Sequence, residues 1–573
     1  MPRLKLILCD PAVRKVQQGP RIWFVSGALP GSDDRLRTQA HAHDDQLERD
    51  ICQSCGDVSI VKLTHDEGGR PRQLTLWRGL TSAFLLFTTR LQNGDTIVSD
   101  SFRAVIASLP PSMRSPSEGV IVDHFLFGNV SGENTYSEHV KRILHGQEVV
   151  IDLETGARKS QFFDKVPLSR PERSTNRYLE AIDRSLADFA KSHVTPGDSV
   201  VLFSGGIDST LMGCYTGRAL PYIHMRTRPT TLNARLEQQY CDDAAALLGV
   251  KCDVIYEELE RYPDQLAACT DSLGSPPQAL HMAWFDDVFW RTDYKKYFLA
   301  ERADALFGHG GRLARFAAHF TTPAAFAALR VAAAILPRSN RFKTRQIVPV
   351  AQRLREPPES VYGYAAQASM RTTPQLVWKM FPRQKIEERL NARLQYALER
   401  VELPAHYESR FLRHFEIAQW IDYFCEDTLP LYRQCAHAHR KSALSPFLDE
   451  GLLRIAAEVP GDRRYIKDGQ GKYLLKNLLK GKLPAYPVNQ RKAFPEVPFH
   501  TLYPKGPLRG IWERYPLPGF IDKAERQEIT ANAHLVSWQA IKYAIWDKNI
   551  RAAEGLGLPP ASVTLEFNLL EST

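Results

Sequence analysis

Residues 204–210 combine glycines, hydroxyl side chains and one carboxylate in a spacing that suits phosphate chemistry. The segment reads Ser204-Gly205-Gly206-Ile207-Asp208-Ser209-Thr210. The two glycines allow a tight turn that exposes backbone N–H groups, and the hydroxyl groups can donate further hydrogen bonds to phosphate oxygens. A carboxylate here would repel phosphate unless it holds a Mg²⁺ ion against it. The segment predicts a cradle for a phosphate chain with its magnesium ion; the alternative is a glycine-rich turn of an ordinary α/β domain.

The flanking elements place this loop between a buried strand and a helix. Residues 199–203 are mostly apolar, which predicts a buried parallel strand, and an apolar helix begins after Gly206. That helix would direct the positive end of its dipole at the loop. Residues 222–226 and 252–256 predict two further strands, with a helix over 237–248 between them. This alternation predicts a parallel sheet with crossover helices and a ligand at the carboxyl ends of its strands.

The bulk properties exclude several classes of protein. The chain has 573 residues, too many for one core, and a net charge of +9 that suits ATP or an acidic peptide. Its basic residues are scattered, so no nucleic-acid partner is expected. No apolar run reaches membrane-spanning length, and the nine cysteines are too irregularly spaced for a disulfide framework. We therefore expect a cytoplasmic protein that does not contact a membrane.

Further segments accompany the glycine-rich loop along the chain. They are residues 95–103, Ser445-Pro446-Phe447-Leu448-Asp449, Lys472-Tyr473-Leu474-Leu475-Lys476 followed by Leu483-Pro484, and Asn489-Gln490-Arg491-Lys492-Ala493-Phe494. Together with the loop, these segments resemble the asparagine-synthetase family of ATP-dependent amide-forming enzymes. The loop is similar to the family's loop for splitting ATP between its α and β phosphates. The resemblance therefore implies ATP and Mg²⁺ as cofactors.

The same resemblance implies a fold of two domains. Residues 1–166, which contain mostly strand signals, would form an α+β glutaminase-like domain of the Ntn type in a degenerate form. Residues 167–175 are polar and rich in arginine and would be a linker. Residues 176–573 would form an α/β synthetase domain with a parallel sheet, of the ATP-pyrophosphatase or HUP-like type. Within it, the composition of residues 312–400 predicts an extra helical region.

The resemblance also implies roles for individual residues. Lys492 would be the catalytic lysine that stabilises charge at the α-phosphate or the tetrahedral intermediate. Lys472 would be a second catalytic lysine, although lysines four residues apart also describe an exposed helix face. Arg226 would border the adenine. Pyrophosphate would be bound by the loop residues Ser204, Gly205, Gly206, Ser209 and Thr210, with Mg²⁺ on Asp208.

A second loop, residues 308–312, departs from the family pattern. It reads Gly308-His309-Gly310-Gly311-Arg312, where the family has Gly-x-Gly-x-Asp with the Asp as a second Mg²⁺ ligand. A guanidinium cannot bind Mg²⁺ but can bind phosphate, so we expect Arg312 to replace one metal charge at the pyrophosphate. Gly308 belongs to the same nucleotide-binding loop. His309 could act as the general base for the attacking amine, or be a surface hydrogen-bonding group.

Pro2 stands where glutamine-using members of the family have a nucleophilic cysteine. Without that thiol no ammonia is released from glutamine, so the amine is expected to come from the substrate itself. Family members that use an amine of their own substrate include the lasso-peptide cyclases, which adenylate an Asp or Glu side chain of a precursor peptide and close a macrolactam with its N-terminal amine. The 99–103 segment and the extra helical region suit such a large peptide substrate better than a small amino acid, so the resemblance favours this subtype. That subtype implies a leader peptidase and a leader-recognition protein as partners. The alternatives are a β-lactam or carbapenam synthetase and a non-catalytic peptide-binding scaffold.

Overall fold

The computed structural model of the chain describes most of its residues. They are 2–27, 56–163, 165–167, 173–228, 232–308, 323–336, 377, 379–405, 410–467, 470–490, 499–533 and 535–569. Within these ranges, no helix combines the length and the apolar character that a bilayer crossing requires.

The strands of these ranges are short, and many of them belong to three larger sheets. In chain order they are β1 (Arg3–Leu8), β2 (Arg14–Gln18), β3 (Arg21–Gly27), β4 (Val58–His65), β5 (Pro71–Arg78), β6 (Phe87–Arg90), β7 (Thr96–Ser99), β8 (Lys141–Arg142), β9 (Gln147–Asp152), β10 (Arg158–Phe162), β11 (Val166–Pro167), β12 (Ser199–Leu202), β13 (Tyr222–Arg226), β14 (Cys252–Tyr256), β15 (Lys296–Phe298), β16 (Val401–Glu402), β17 (Ser442–Leu444), β18 (Ile466–Lys467), β19 (Gln470–Gly471) and β20 (Val563–Asn568).

Helices cover these sheets and fill the C-terminal half. In chain order they are α1 (Phe102–Ala107), α2 (Glu118–Phe127), α3 (Thr175–His193), α4 (Ile207–Thr216), α5 (Leu232–Leu248), α6 (Tyr262–Leu273), α7 (Met282–Arg291), α8 (Ala303–Phe307), α9 (Pro323–Ile335), α10 (Arg383–Leu398), α11 (Arg410–Cys425), α12 (Thr428–Ala438), α13 (Glu450–Glu458), α14 (Gly461–Arg464), α15 (Tyr473–Lys482), α16 (Phe499–Leu502), α17 (Ile511–Arg514), α18 (Lys523–Ala531) and α19 (Leu535–Trp546).

Two sheets form the N-terminal part of the fold. The first has the order β20-β1-β7-β6-β8, and the second has the order β10-β9-β5-β4-β3-β2. Neighbouring strands of the second sheet are antiparallel. Leu4, Leu6 and Leu8 of β1 share one buried cluster with Leu74 and Leu76 of β5. Because strand side chains alternate between faces, each sheet turns one apolar face toward the other.

A parallel sheet with the order β14-β13-β12-β15-β17 lies in the second part of the chain. Val201 and Phe203 belong to one buried cluster, while Val200 and Leu202 belong to another on the opposite face. Helices cover both faces, which explains the uninterrupted apolar run in the sequence. The expected α/β arrangement with a parallel sheet, and the strands at 222–226 and 252–256, are therefore confirmed.

Some boundaries differ from the sequence expectations. Thr175, expected to end the linker, is the first residue of α3, because the Ser174 side chain accepts the N–H of Arg177 and caps the helix there. Helix α5 begins at Leu232 rather than at residue 237. The last strand, β20, does not join the synthetase part of the chain but pairs antiparallel with β1 in the first sheet. The division at residues 166 and 176, and the glutaminase-like character of the first part, stay predictions.

The extra helical region is described only in part. Helices α9 and α10 lie within residues 312–400, where the composition predicts helices. Helix α10 packs against α11 and against α2 of the N-terminal part. Residues 312–322, 337–376 and 378 lie outside the described ranges.

Candidate functional site

The loop between β12 and α4 depends on a glycine in a left-handed backbone conformation. Gly205 has φ +69°, and a Cβ at this position would lie 2.3 Å from the carbonyl oxygen of Tyr240 and 2.4 Å from Cα of Cys241. Both of these residues belong to α5, so the loop backbone lies directly against that helix. Any larger residue would have to push the loop away from α5.

The two serines of the loop hold its turn. Ser209 Oγ accepts the backbone N–H of Ser204 at 3.3 Å, and the two hydroxyl oxygens are 3.0 Å apart. Ser204 Oγ in turn accepts the N–H of Gly206 at 3.3 Å. Thr210 is fully buried in the first turn of α4. The predicted phosphate-binding residues therefore form one compact turn at the N-terminus of α4, where backbone N–H groups favour an anion. Their roles stay predictions.

Tyr486, which sequence reasoning did not select, closes the loop from the other side. Its hydroxyl donates to the carbonyl oxygen of Gly205 at 2.7 Å and accepts a hydrogen bond from Nε2 of Gln490 at 2.8 Å. Burial raises the pKa of Tyr486, so the hydroxyl keeps its proton and remains a donor. Its position just after Leu483-Pro484, one of the recognised segments, was the signal available in the sequence.

Two carboxylates meet beside the loop and share one lysine. Lys472 Nζ forms ion pairs with Asp208 Oδ2 and Asp304 Oδ1. Lys472 is only 5% exposed, and burial by itself would lower its pKa. The two carboxylates outweigh that effect and raise the pKa of Lys472, so its ammonium stays charged. The predicted residues Asp208 and Lys472 are thus in direct contact.

Asp304, which sequence reasoning did not select, provides a second acidic residue beside Asp208. Asp208 follows the end of β12 by six residues, and Asp304 follows the end of β15 by six residues. Each is the second residue of its helix, and β12 and β15 are parallel neighbours. The two carboxylates therefore lie at the same edge of the sheet and near two helix N-termini, which stabilise negative charge. This shared spacing was the missed signal in the sequence.

The described carboxylates fit a hard divalent cation such as Mg²⁺. Asp208 Oδ1 is buried and has no hydrogen-bond partner within the described ranges. An unpartnered carboxylate oxygen beside a second carboxylate is the oxygen donor set that Mg²⁺ takes. No group of three or more His, Cys, Asp or Glu side chains in the described part of the chain could hold a metal ion. Further ligands would have to come from phosphate oxygens and water, as is usual for Mg²⁺.

A pocket that is partly open to solvent adjoins the loop at the carboxyl ends of β12 and β13. Arg226 is 8% exposed and lines it, and its Nη2 donates to Asp242 Oδ1 at 2.9 Å. The pocket wall includes Phe203, Ser204, His224, Met225, His281, Trp284 and Phe285. Aromatic and apolar walls suit a nucleobase. Arg226 lines this pocket, and its contact with adenine stays a prediction.

His224, on β13, forms a hydrogen bond with the start of the glycine-rich loop. Its Nδ1 donates to the carbonyl oxygen of Phe203 at 2.7 Å, which fixes the tautomer. Burial lowers the pKa of His224 to about 4, so the ring is neutral near pH 7. This histidine was not singled out from the sequence.

Of the remaining predicted site residues, the structure describes Gly308. Lys492, His309 and Arg312 lie outside the described ranges, so their proposed roles as catalytic lysine, general base and phosphate ligand stay predictions. Gly308 is described and has φ +93°. A Cβ there would lie 3.2 Å from Cα of Tyr465, whose carbonyl oxygen accepts the backbone N–H of Lys472. Gly308 therefore lies close to the segment that leads into Lys472.

Comparison with known protein families matches residues 178–525 to the family described as asparagine synthase. The matched region contains the parallel sheet, the loop, both carboxylates and Lys472. The chain therefore belongs to the asparagine synthase family, whose members are ATP-dependent amide-forming ligases. No curated protein is significantly similar to the chain.

Proposed function

We propose that this protein is an AMP-forming ligase that activates a carboxylate with ATP and joins it to an amine of the same substrate molecule. The observation that carries the proposal is the meeting of Asp208, Asp304 and Lys472 beside the glycine-rich turn and the aromatic pocket. ATP is a substrate whose base fits the pocket and whose phosphates fit the N-terminus of α4. Mg²⁺ held by the two carboxylates would neutralise charge on the departing pyrophosphate.

The reaction proceeds in two displacements. A carboxylate oxygen of the substrate attacks the α-phosphorus, and the bond to the β,γ-pyrophosphate breaks. The substrate amine then attacks the acyl carbon, loses a proton, and AMP leaves. Backbone N–H groups around Gly205 and Gly206 bind and orient the departing phosphates. Lys492, if it lies here as the family pattern implies, supplies positive charge at the α-phosphate.

The amine is proposed to come from the substrate because Cys9, which directly follows β1, is not a suitable nucleophile for glutamine. Cys9 is 2% exposed, and its backbone N–H donates to Asp100 Oδ1 at 2.7 Å. Burial raises the pKa of the Cys9 thiol, so it carries no reactive thiolate near neutral pH. An intramolecular amine removes the need for ammonia. Ring closure is thus the chemistry that we assign to the site.

The substrate that we propose is a precursor peptide of the lasso type. An Asp or Glu side chain would be adenylated, and the N-terminal amine, freed by a leader peptidase, would form the macrolactam. A leader-recognition protein would deliver the peptide. The resemblance at 99–103 and the helical elements α9 and α10 support a large substrate.

Peptide-dependent release of AMP and pyrophosphate tests the proposal. The protein is incubated with Mg-ATP, candidate precursor peptides and the peptidase. The mass of the peptide is then measured by mass spectrometry. We expect AMP together with a peptide lighter by one water. Asp208→Ala should reduce the rates of AMP release and of peptide dehydration by about a hundredfold or more, because it removes a ligand of the Mg²⁺ ion that neutralises charge on the pyrophosphate. Asp188→Ala, an exposed aspartate on α3, is the matched control and should keep full activity.

The outcome also separates peptide cyclisation from its alternatives. If a free amino-acid substrate loses one water when no peptide is present, the peptide proposal is wrong and the protein is a β-lactam-type synthetase. Tight peptide binding without AMP formation would contradict ligase chemistry and favour a scaffold.

A further inference from the structure

Lys472 breaks local rules of helix formation where it enters the site. It has φ +56°, the left-handed region that residues with a Cβ disfavour, and it immediately precedes α15. Its positive charge lies at the N-terminus of that helix, where the helix dipole disfavours cations. A residue that is unfavourable in both respects persists only where the surrounding structure holds it for another purpose.

The surrounding contacts show what holds Lys472. Helix α15 packs against both α4 and α8, the helices that carry Asp208 and Asp304. Leu474, Leu475 and Leu478 anchor α15 in the larger buried cluster. The backbone N–H of Lys472 donates to the carbonyl oxygen of Tyr465 at 3.1 Å. These contacts place the ammonium group between the two carboxylates rather than in solvent.

We propose that Lys472 is a positioning residue whose ammonium pairs Asp208 with Asp304 in the nucleotide-free protein and keeps a divalent cation from binding there until ATP arrives. The inference rests on the proposed function in one respect, that these two carboxylates hold Mg²⁺. It differs from the sequence expectation, which gave Lys472 a catalytic role. In this arrangement the lysine acts through the carboxylates and need not touch the reacting atoms.

Charge balance supports this arrangement. Two adjacent carboxylates carry two negative charges and repel each other, and the buried ammonium reduces the net charge of the group to −1. A divalent ion that approaches the free protein must compete with the ammonium for the same oxygens. ATP changes the balance, because its phosphates bring additional negative charge and oxygen ligands. Asp208 Oδ1, which is buried without a partner in the described ranges, remains available on its other side.

Metal binding without nucleotide tests the proposal. Free Mn²⁺, used as the probe, is measured by electron paramagnetic resonance in a titration of the nucleotide-free protein. We expect wild type to bind Mn²⁺ weakly and Lys472→Met to bind it about tenfold more tightly or better, because the competing charge is gone. The double variant Lys472→Met/Asp304→Asn should lose that gain. Lys480→Met, an exposed lysine on the same helix, is the control and should behave as wild type.

Two further measurements keep the proposal falsifiable if Lys472→Met does not fold. Lys472→Arg retains a cation and should show no gain in Mn²⁺ affinity. Wild type alone is also decisive, because micromolar Mn²⁺ binding without nucleotide that Asp208→Asn removes would overturn the proposal. A folded Lys472→Met variant whose affinity for Mn²⁺ equals that of wild type would also overturn the proposal. Because no ATP is present, these results do not depend on whether the protein forms AMP, so failure of the proposed ligase activity is distinguishable.

Discussion

At the scale of single residues, Gly205 shows how closely the loop is fitted to the helix beneath it. We expect Gly205→Ala to lower the free energy of unfolding by about 1–3 kcal/mol, because the left-handed φ and the 2.3 Å approach to Tyr240 leave no room for a Cβ. Formation of AMP should fall with it. Urea unfolding and an AMP assay measure the two effects.

The neighbouring glycine provides the control. Gly206 is the N-cap of α4 with φ −72°, and a Cβ there would meet only Ser204 Oγ at 3.3 Å. Gly206→Ala should therefore cost much less stability than Gly205→Ala. Equal losses in the two variants would contradict the assignment of Gly205 as the tightly fitted position.

His224 should give the fold a pH-dependent component. Burial lowers the pKa of His224 from 6.5 to about 4, so between these values the unfolded chain binds a proton that the folded chain does not. Stability therefore falls as the pH drops below about 6.5, and it is unaffected by this group above that. Between pH 7 and 5, we expect wild type to lose about 2 kcal/mol more than His224→Gln in urea unfolding. His139→Gln, at an exposed histidine, should match wild type. An identical pH dependence in wild type and His224→Gln would refute this role.

At the scale of elements, a hydrogen bond from the segment after α15 stabilises the loop after β12. Tyr486→Phe removes the hydroxyl that donates to the Gly205 carbonyl and accepts from Gln490. We expect a loss of about 1–3 kcal/mol, because a buried carbonyl oxygen is left without its donor. The affinity for ATP should weaken as the loop loosens. Calorimetric titration with ATP and urea unfolding check these two expectations.

Tyr473→Phe is the matched control for that change, since it removes a hydroxyl from α15 itself. It should leave ATP affinity and stability close to those of wild type. If Tyr486→Phe binds ATP as tightly as wild type, the loop does not depend on this hydrogen bond.

The elements were also where sequence reasoning worked best. The strands at 222–226 and 252–256 lie where the sequence predicts them, because short apolar runs bounded by polar residues are a local signal. The start of α5 at Leu232 was missed by five residues. Its first turns, residues 233–238, contain only Ala234 and Leu236 as apolar residues, so apolar periodicity alone marks them weakly. Capping at Ser174, a single side-chain contact, likewise moves the start of α3.

At the scale of the whole molecule, the two ends of the chain meet in one sheet. Strand β20 pairs with β1 over the registers Arg3↔Asn568 to Leu8↔Val563. Deleting residues 563–573 should lower the melting temperature by about 3 °C or more, because β1 loses its antiparallel neighbour and the sheet core loses Leu565 and Phe567. Differential scanning calorimetry measures the change.

A shorter deletion is the control for that experiment. Removing only residues 570–573 leaves β20 complete and should keep the wild-type melting temperature. If the variant lacking residues 563–573 has the same melting temperature as the full-length chain, the prediction is wrong and the N-terminal sheet is stable without β20.

Residues 204–210 could be interpreted from the sequence alone, because the loop's glycines, hydroxyls and carboxylate are contiguous and each follows local backbone rules. The same holds for the parallel sheet, whose strands and helices alternate along the chain. The tertiary structure shows that Asp304 stands beside Asp208, with both carboxylates on the Lys472 ammonium. The two aspartates are 96 positions apart and become neighbours only because β12 and β15 pair in parallel. Lys472 joins them through the packing of α15 on α4 and α8, a long-range contact that no local pattern encodes.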